Sequence, residues 1–298
     1  MNNNGLVLTG HRGFIGGNLQ CEYHIDRSID LTDYSSTFAA FSSITSPTGL
    51  IHCAAKHGSN EQMRTNHVDY VSNNLVVDIN VLKAARSVGI KDVVCISSIT
   101  SIPPVDKEYF TEDDFYNGQV NEPIFGYAWS KKATVSICKA FQLESKLNYK
   151  AILLGNAYGP GCKFHERAPV IANLICRIGK AMKENHPHVS LYGDGNDVRS
   201  FIFAEDLDKI FKALLVDKSL CGPIIVSSTE TTTIRSLAFL IAEVLGYSGD
   251  VIFSGDVSCN VQRIKIAKSN VFDIDNYELT PLREGIRRTI SYYNTLNI

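Results

Sequence analysis

The chain has 298 residues, with 29 Lys+Arg against 31 Asp+Glu, and 44% of it is hydrophobic, ample material for a folded core, which excludes a disordered chain. The net charge of −2 leaves no electrostatic footprint for nucleic acid, and no run approaches the roughly 18 apolar residues of a membrane span. The opening Met1-Asn2-Asn3-Asn4-Gly5 has neither the basic nor the apolar region of a secretion signal, so a cytoplasmic protein is expected.

Residues 6–9 form an apolar run that stops at Gly10 and reads as a buried strand. Residues 14–20 leave room only for a short helix, and residues 23–26 for a second, brief strand. Residues 50–54 are another buried run. Val71, Leu75, Ile79, Leu82 and Ala85 recur at helical steps, so residues 68–88 are predicted to be a long amphipathic helix closed by Gly89. A β-branched strand at 93–96, a helix at 127–145 and a strand at 152–154 follow. Alternating strands and helices imply an α/β fold, a Rossmann-type doubly wound parallel sheet with right-handed crossovers.

The pattern loosens after Pro160. Helices are predicted at 169–182, 207–216 and 234–245, with a turn-rich patch at residues 192–197. The expected division is a Rossmann domain over 1–163, with 199–227 crossing back to it, and a smaller C-terminal α/β substrate-binding domain over 164–198 and 228–298. The eight cysteines, Cys21, Cys53, Cys95, Cys138, Cys162, Cys176, Cys221 and Cys259, are scattered without a C-x-x-C pair. Reduced thiols packed as small apolar residues are expected, with neither a disulfide scaffold nor a metal site.

Two motifs carry chemistry. Gly10-His11-Arg12-Gly13-Phe14-Ile15-Gly16 follows a strand and opens a helix, the context of a dinucleotide-binding loop, with spacing G-x-x-G-x-x-G. Glycine lets the backbone approach a pyrophosphate, and the helix start offers free N–H groups. Arg12 and Arg27 can pair with a ribose 2′-phosphate, which favours NADP(H) over NAD(H), whereas Asp26 and Asp30 can hold a 2′-hydroxyl. The second motif is Tyr127-Ala128-Trp129-Ser130-Lys131, whose spacing of four puts Tyr127 and Lys131 on one helix face. A tyrosine ordinarily titrates at about 10, and a neighbouring ammonium is expected to stabilise phenolate and lower that pKa toward a useful range, so the pair can exchange a proton with a carbonyl oxygen. Ser98, just past the strand at 93–96, lies at the sheet edge that faces the ligand crevice; Ser97 is its neighbour.

With these motifs the chain resembles the extended short-chain dehydrogenase/reductases that modify nucleotide sugars. Further support comes from His52-Cys53-Ala54-Ala55-Lys56, Asn73-Asn74-Leu75 and Asn156-Ala157-Tyr158-Gly159-Pro160, and from Gly193-Asp194-Gly195, Arg199-Ser200-Phe201 and Glu205-Asp206-Leu207. Within that family it resembles the GDP-L-fucose synthases, NADPH-dependent 3,5-epimerases and 4-reductases of a GDP-4-keto-6-deoxy sugar. The resemblance implies that Tyr127 is the proton donor, that Lys131 tunes it and binds the nicotinamide ribose, and that Ser98 orients the ketone. It implies cofactor contacts at Gly10, Arg12, Gly13, Phe14, Ile15, Gly16, Arg27, Asp30, Leu31, Ala54, Ala55, Lys56, Asn74, Ser97 and Asn156. A nucleotide sugar would meet Thr100, Asn156, Arg177, Tyr192 and Arg199, with Arg263 and Lys265 in a basic stretch able to close over it. Relatives often pair through a four-helix interface, so a homodimer is expected.

Two positions depart from that pattern. The synthases carry a cysteine two residues past the catalytic serine, where this chain has Thr100, and a histidine before Val170-Ile171, where it has Pro169. Neither replacement is an acid/base near neutrality. His165, four residues earlier, is the nearest substitute. The expected activity is therefore 4-ketone reduction without 3,5-epimerisation. A nucleotide-sugar 4-epimerase with retained NAD and a non-enzymatic NADP-binding sensor remain open, while a 4,6-dehydratase is disfavoured because Ile99 and Thr100 stand where that enzyme has Asp-Glu.

Overall fold

The structure, a computed structural model, describes residues 4–255 and 264–296. In chain order its first half runs β1 (Leu6–Thr9), β2 (Tyr23–Ile25), α1 (Tyr34–Ser42), β3 (Gly49–His52), α2 (Asn60–Thr65), α3 (His67–Ser87), β4 (Asp92–Ser98), α4 (Phe125–Ser145) and β5 (Asn148–Leu154). The second half runs β6 (Asn156–Tyr158), α5 (Val170–Lys183), β7 (His188–Leu191), β8 (Val198–Phe203), α6 (Leu207–Val216), β9 (Pro223–Val226), β10 (Thr231–Thr233), α7 (Ile234–Leu245), β11 (Asp250–Phe253), β12 (Ile264–Lys265) and α8 (Leu282–Thr295).

Six strands form the main sheet in the order β2-β1-β3-β4-β5-β9, and every neighbouring pair is parallel. The strands are apolar on both faces because both are covered. Val7, Leu50, Val93, Cys95 and Leu153 face one layer, where they pack with Phe41 of α1, Val81 and Leu82 of α3 and Val135 of α4. Their neighbours Leu8, Ile51, Val94 and Ile152 face the other, against Ile210, Phe211 and Leu214 of α6. Fully burying one such side chain stabilises the fold by about 1.5–3 kcal/mol. Since β2 and β3 flank β1 on opposite sides, the direction of winding reverses there, and a ligand crevice opens at the carboxyl ends of these strands.

A second lobe is built around β8, which pairs with β6 and β12 in parallel and with β10 antiparallel. β7 and β11 form a separate parallel pair. Ile175 and Ile178 of α5, Leu237 and Ile241 of α7, and Ile286 and Ile290 of α8 make its core. The return to the main sheet is narrower than expected. α6 and β9 make it, whereas Val198–Phe203 stays in the small sheet.

Other expectations change in detail. The helix expected at 14–20 shrinks to a 3₁₀ turn, Gly16–Asn18, because the short path to β2 leaves no room for more. α1 and α2 carry no apolar stripe and were not expected. Gly89 closes α3 at φ +84°, with Ile90 N–H donating to Ala85 O at 2.9 Å. The buried face of α3 is not the expected one. Leu82 and Ala85 are buried, but Ile79 is 40% exposed, and Asn74 and Asp78 take buried places through their hydrogen-bond partners.

Candidate active site

The glycine loop turns directly after β1. Gly10 has φ +76°, and a Cβ there would lie 2.7 Å from Ala54 N. A Cβ on Gly16 would lie 2.2 Å from Gly10 O, so both positions admit only glycine. Gly13 N–H donates to Gly10 O at 2.9 Å and Gly17 N–H to Gly13 O at 2.8 Å. Among the described residues, no protein group accepts from the N–H of Phe14 or Ile15. These donors at the switch point fit the pyrophosphate of a dinucleotide.

On the adenosine side, Arg12 is paired with Asp26 at 2.9 Å, both largely exposed. Hydrogen bonds from Ser28, and then the Arg12 guanidinium, hold the Asp26 carboxyl below its ordinary range. Asp30 Oδ1 accepts from Thr32 Oγ1 at 2.6 Å and Thr32 N at 2.9 Å, so its carboxylate closes its own turn. Leu31 packs against the α1 and α3 layer, and Arg27 stands exposed after β2.

Ala54, Ala55 and Lys56 continue from β3 along the crevice. Asn74, 1% exposed, accepts from Lys56 N at 2.7 Å and donates to Lys56 O and to Ser130 Oγ, both at 3.2 Å. Its amide therefore holds the Lys56 loop to α4. Ser97 is similar, because its buried hydroxyl donates to Lys131 O at 2.6 Å and ties β4 to α4. Lys56 forms an exposed ion pair with Asp69.

A buried polar chain lies beneath. Ala54 N donates to Thr9 Oγ1 at 3.2 Å, Thr9 Oγ1 lies 2.6 Å from His52 Nδ1, and His52 Nε2 lies 3.1 Å from Asp78 Oδ1. Thr134 Oγ1 donates to Asp78 Oδ2 at 2.5 Å. Burial pushes the Asp78 carboxyl upward, but His52, the Lys131 ammonium and Thr134 outweigh it and hold it below the usual carboxylate range.

Ser98 is the last residue of β4 itself, in register with Leu154 of β5. Tyr127 lies in the first turn of α4, and Lys131 follows one turn later with Nζ donating to Ile96 O at 2.8 Å. Tyr127 and Lys131 are 7% and 5% exposed. Contrary to the lowering expected from Lys131, burial pushes the Tyr127 phenol up to about 12, and the facing Ser98 hydroxyl draws it partly back. At neutral pH Tyr127 is thus a neutral proton donor. Thr100 turns toward Ser98, with Oγ1 and N donating to Ser98 Oγ at 2.9 and 3.2 Å.

One residue at this centre was absent from the expectations. His57 sets its ring against Tyr127 with centroids 5.3 Å apart and planes at 86°, and Tyr70 flanks the same ring at 6.0 Å. His57 is open to the crevice but ringed by protein, which lowers its imidazole to about 4, with the Lys131 ammonium adding to the effect. The signal was its place next to Ala54-Ala55-Lys56.

The substrate-side residues are distributed differently. Asn156 Nδ2 donates to Ser200 O at 3.0 Å and stitches β6 to β8. Arg199, 8% exposed, pairs with Asp197 at 2.8 Å, and burial lowers its pKa. Arg177 donates to Ser190 O at 2.9 Å, and Tyr192 is 68% exposed. Arg263 lies outside the described residues, as does the side chain of Lys265. His165 Nδ1 accepts from Arg167 N at 3.2 Å within its own loop, and Pro169 caps α5. A hollow of about 290 Å³ lined by Phe201, Ser228, Glu230, Tyr277 and Thr280 belongs to the second lobe, and Ser98, Tyr127 and Lys131 do not line it. Ser98 and Tyr127 instead face each other at the carboxyl edge of the main sheet, with Lys131 one turn on along α4, and this crevice is the candidate site.

Residues 6–223 match the sequence profile of the NAD dependent epimerase/dehydratase family. The chain is 26% identical over 302 residues to a probable GDP-L-fucose synthase 1 of Oryza sativa subsp. japonica, covering 97% of this chain and 91% of the relative. Its fold is similar to that of a GDP-L-fucose synthetase from Naegleria fowleri bound to NADP, with a TM-score of 0.87 at 19% identity, covering 100% of this chain and 95% of the other. It is also similar to that of a GDP-mannoheptose C4 reductase from Campylobacter jejuni with NADP bound, with a TM-score of 0.85 at 18% identity and 99% of each chain covered.

Proposed function

The chain belongs to the NAD dependent epimerase/dehydratase family, and we propose that it reduces the C4 ketone of a nucleotide-linked 4-keto-6-deoxy sugar, GDP-linked above all, with NADPH and without epimerising C3 or C5. The observation that carries this reading is the meeting of Ser98 and Tyr127, with Lys131 one turn on, at the carboxyl edge of the sheet. The names of the relatives, GDP-sugar synthases and a C4 reductase among them, point the same way.

NADPH, when bound, supplies the hydride that reaches C4. Tyr127 passes its Oη proton to the ketone oxygen, so that the carbonyl becomes a secondary alcohol and a phenolate remains. Ser98 donates a hydrogen bond to the same oxygen and fixes its direction. Lys131, anchored at Ile96 O, would stabilise the phenolate and hold the nicotinamide ribose. The N–H groups of Phe14 and Ile15 hold the pyrophosphate. Arg12 and Arg27, two guanidinium groups at the end of β2, favour a 2′-phosphate and hence NADPH over NADH. Arg199 serves the sugar-nucleotide diphosphate, where a guanidinium suits bidentate contact. Thr100 and Pro169 offer no group that takes a proton from a sugar carbon near neutrality, which supports reduction alone. The same reading includes a cytoplasmic homodimer through α3 and α4, on which the apolar Val68, Val76, Ile79, Phe125 and Trp129 are exposed.

The test is cofactor oxidation in D₂O with GDP-, CDP-, dTDP- and UDP-linked 4-keto-6-deoxy sugars, NADPH and NADH in parallel, each product weighed by mass spectrometry. NADPH oxidation without enzyme-dependent deuterium at C3 or C5 is expected. Deuterium there would overturn the loss of epimerisation, and no oxidation with any sugar would overturn the reductase.

A further inference from the structure

We infer that Thr100 is a positioning residue for the reaction: it takes both acceptor sites of the Ser98 hydroxyl and leaves that hydroxyl a single use, donation into the crevice. The inference rests on the ketone reduction proposed above and adds a residue to it. A serine hydroxyl has one proton to give and two lone pairs to accept with. Thr100 Oγ1 donates to Ser98 Oγ at 2.9 Å, and Thr100 N donates to the same atom at 3.2 Å. Both lone pairs are thereby engaged.

The turn that carries Thr100 is itself held. Residues Ile99–Ser101 form a 3₁₀ turn with Ser98 as its N-cap, and Ile102 N–H donates to Ile99 O at 3.1 Å. Ser101 Oγ donates to Ser98 O at 2.5 Å, so the serine is fixed through its carbonyl as well as its hydroxyl. The remaining Ser98 proton is directed at the space shared with Tyr127, where the ketone oxygen must sit to receive the Tyr127 proton. An unanchored serine rotates, and in part of its population accepts a hydrogen bond where the reaction needs a donor. Thr100 removes that alternative, and Ser98 itself neither gains nor loses a proton.

The same bond bears on the lost epimerisation. The single Thr100 proton is donated to Ser98 and is therefore not presented to C3 or C5 of a sugar. The threonine at this position has changed task rather than merely lost one: it prepares the donor for C4.

The test uses the full-length protein, NADPH and the 4-keto sugar that wild type reduces fastest. Thr100→Val keeps the shape and removes the hydroxyl. It is expected to lower kcat about tenfold with KM within about twofold, because the lost contact acts in the transition state. The primary isotope effect from C4-deuterated NADPH should rise in this variant as the chemical step slows. Thr100→Ser should recover kcat to within about threefold of wild type. In a Ser98→Ala background, itself expected to be about 100-fold slower, Thr100→Val should cost nothing further. Wild-type turnover with kcat and isotope effect unchanged in Thr100→Val, or an equal loss in the Ser98→Ala background, would overturn the role of Thr100 alone. Absence of turnover by wild type would overturn the reductase reading and this role with it.

Discussion

Tyr127 keeps its proton because burial makes the phenolate expensive. With the phenol pushed up to about 12, Tyr127 is in its donating form throughout the neutral and mildly alkaline range. An ordinary tyrosine, with a pKa of about 10, would be half ionised at pH 10. Reduction needs the protonated phenol, so kcat/KM for the keto sugar is expected to stay level from about pH 7 to about pH 10 and to fall only above that. A pH–rate profile checks this, and a decline centred near pH 9 would contradict it. Tyr127→Phe should remove at least about 100-fold of kcat across the same range. His57, lowered to about 4, is neutral over the plateau and sets no limb within it. A neutral imidazole beside the phenol also avoids placing a second cation next to Lys131.

The glycine loop shows what one short element demands. A Cβ on Gly16 would meet Gly10 O at 2.2 Å, and backbone cannot yield as a side chain can. Gly16→Ala must therefore displace the loop, and about 1.4 kcal/mol of such strain directed at the ligand is tenfold in affinity. Titration calorimetry is expected to find NADPH bound at least about tenfold more weakly. That loop was legible in the sequence because close backbone approach admits one residue type. So were α6 and α7, whose apolar stripes gave their limits, and the placement of Ser98 at a strand end with Tyr127 and Lys131 one turn apart on a helix. α1 and α2 were not, since they bury too little to leave a stripe. Their signals were caps instead, Asp33 accepting from Ser36 N, and a capping box between Ser59 and Gln62. The tasks of Asn74, Ser97 and Thr100 were illegible for a different reason. Each acts through a partner that only the tertiary fold, or a local turn, brings near.

At the scale of the whole molecule, two long helices leave apolar side chains toward solvent. Ile79 of α3 is 40% exposed and Trp129 of α4 is 39% exposed. If these faces pair two copies, a charge on either is expected to separate them. Light scattering should give a dimer for wild type and a monomer for Trp129→Glu, with a monomeric wild type refuting the pairing. The buried chain from the Ala54 backbone amide through the side chains of Thr9, His52 and Asp78 to that of Thr134 links β1, β3, α3 and α4. A charged group so enclosed cannot be uncovered by loosening one of these elements, because each opening strands a polar atom belonging to another. The strand that begins the glycine loop and the helix that carries Tyr127 are therefore expected to open as one cooperative unit. The Ala54 amide, though it sits at the rim of a crevice, should trade its hydrogen with solvent as slowly as the interior of the sheet.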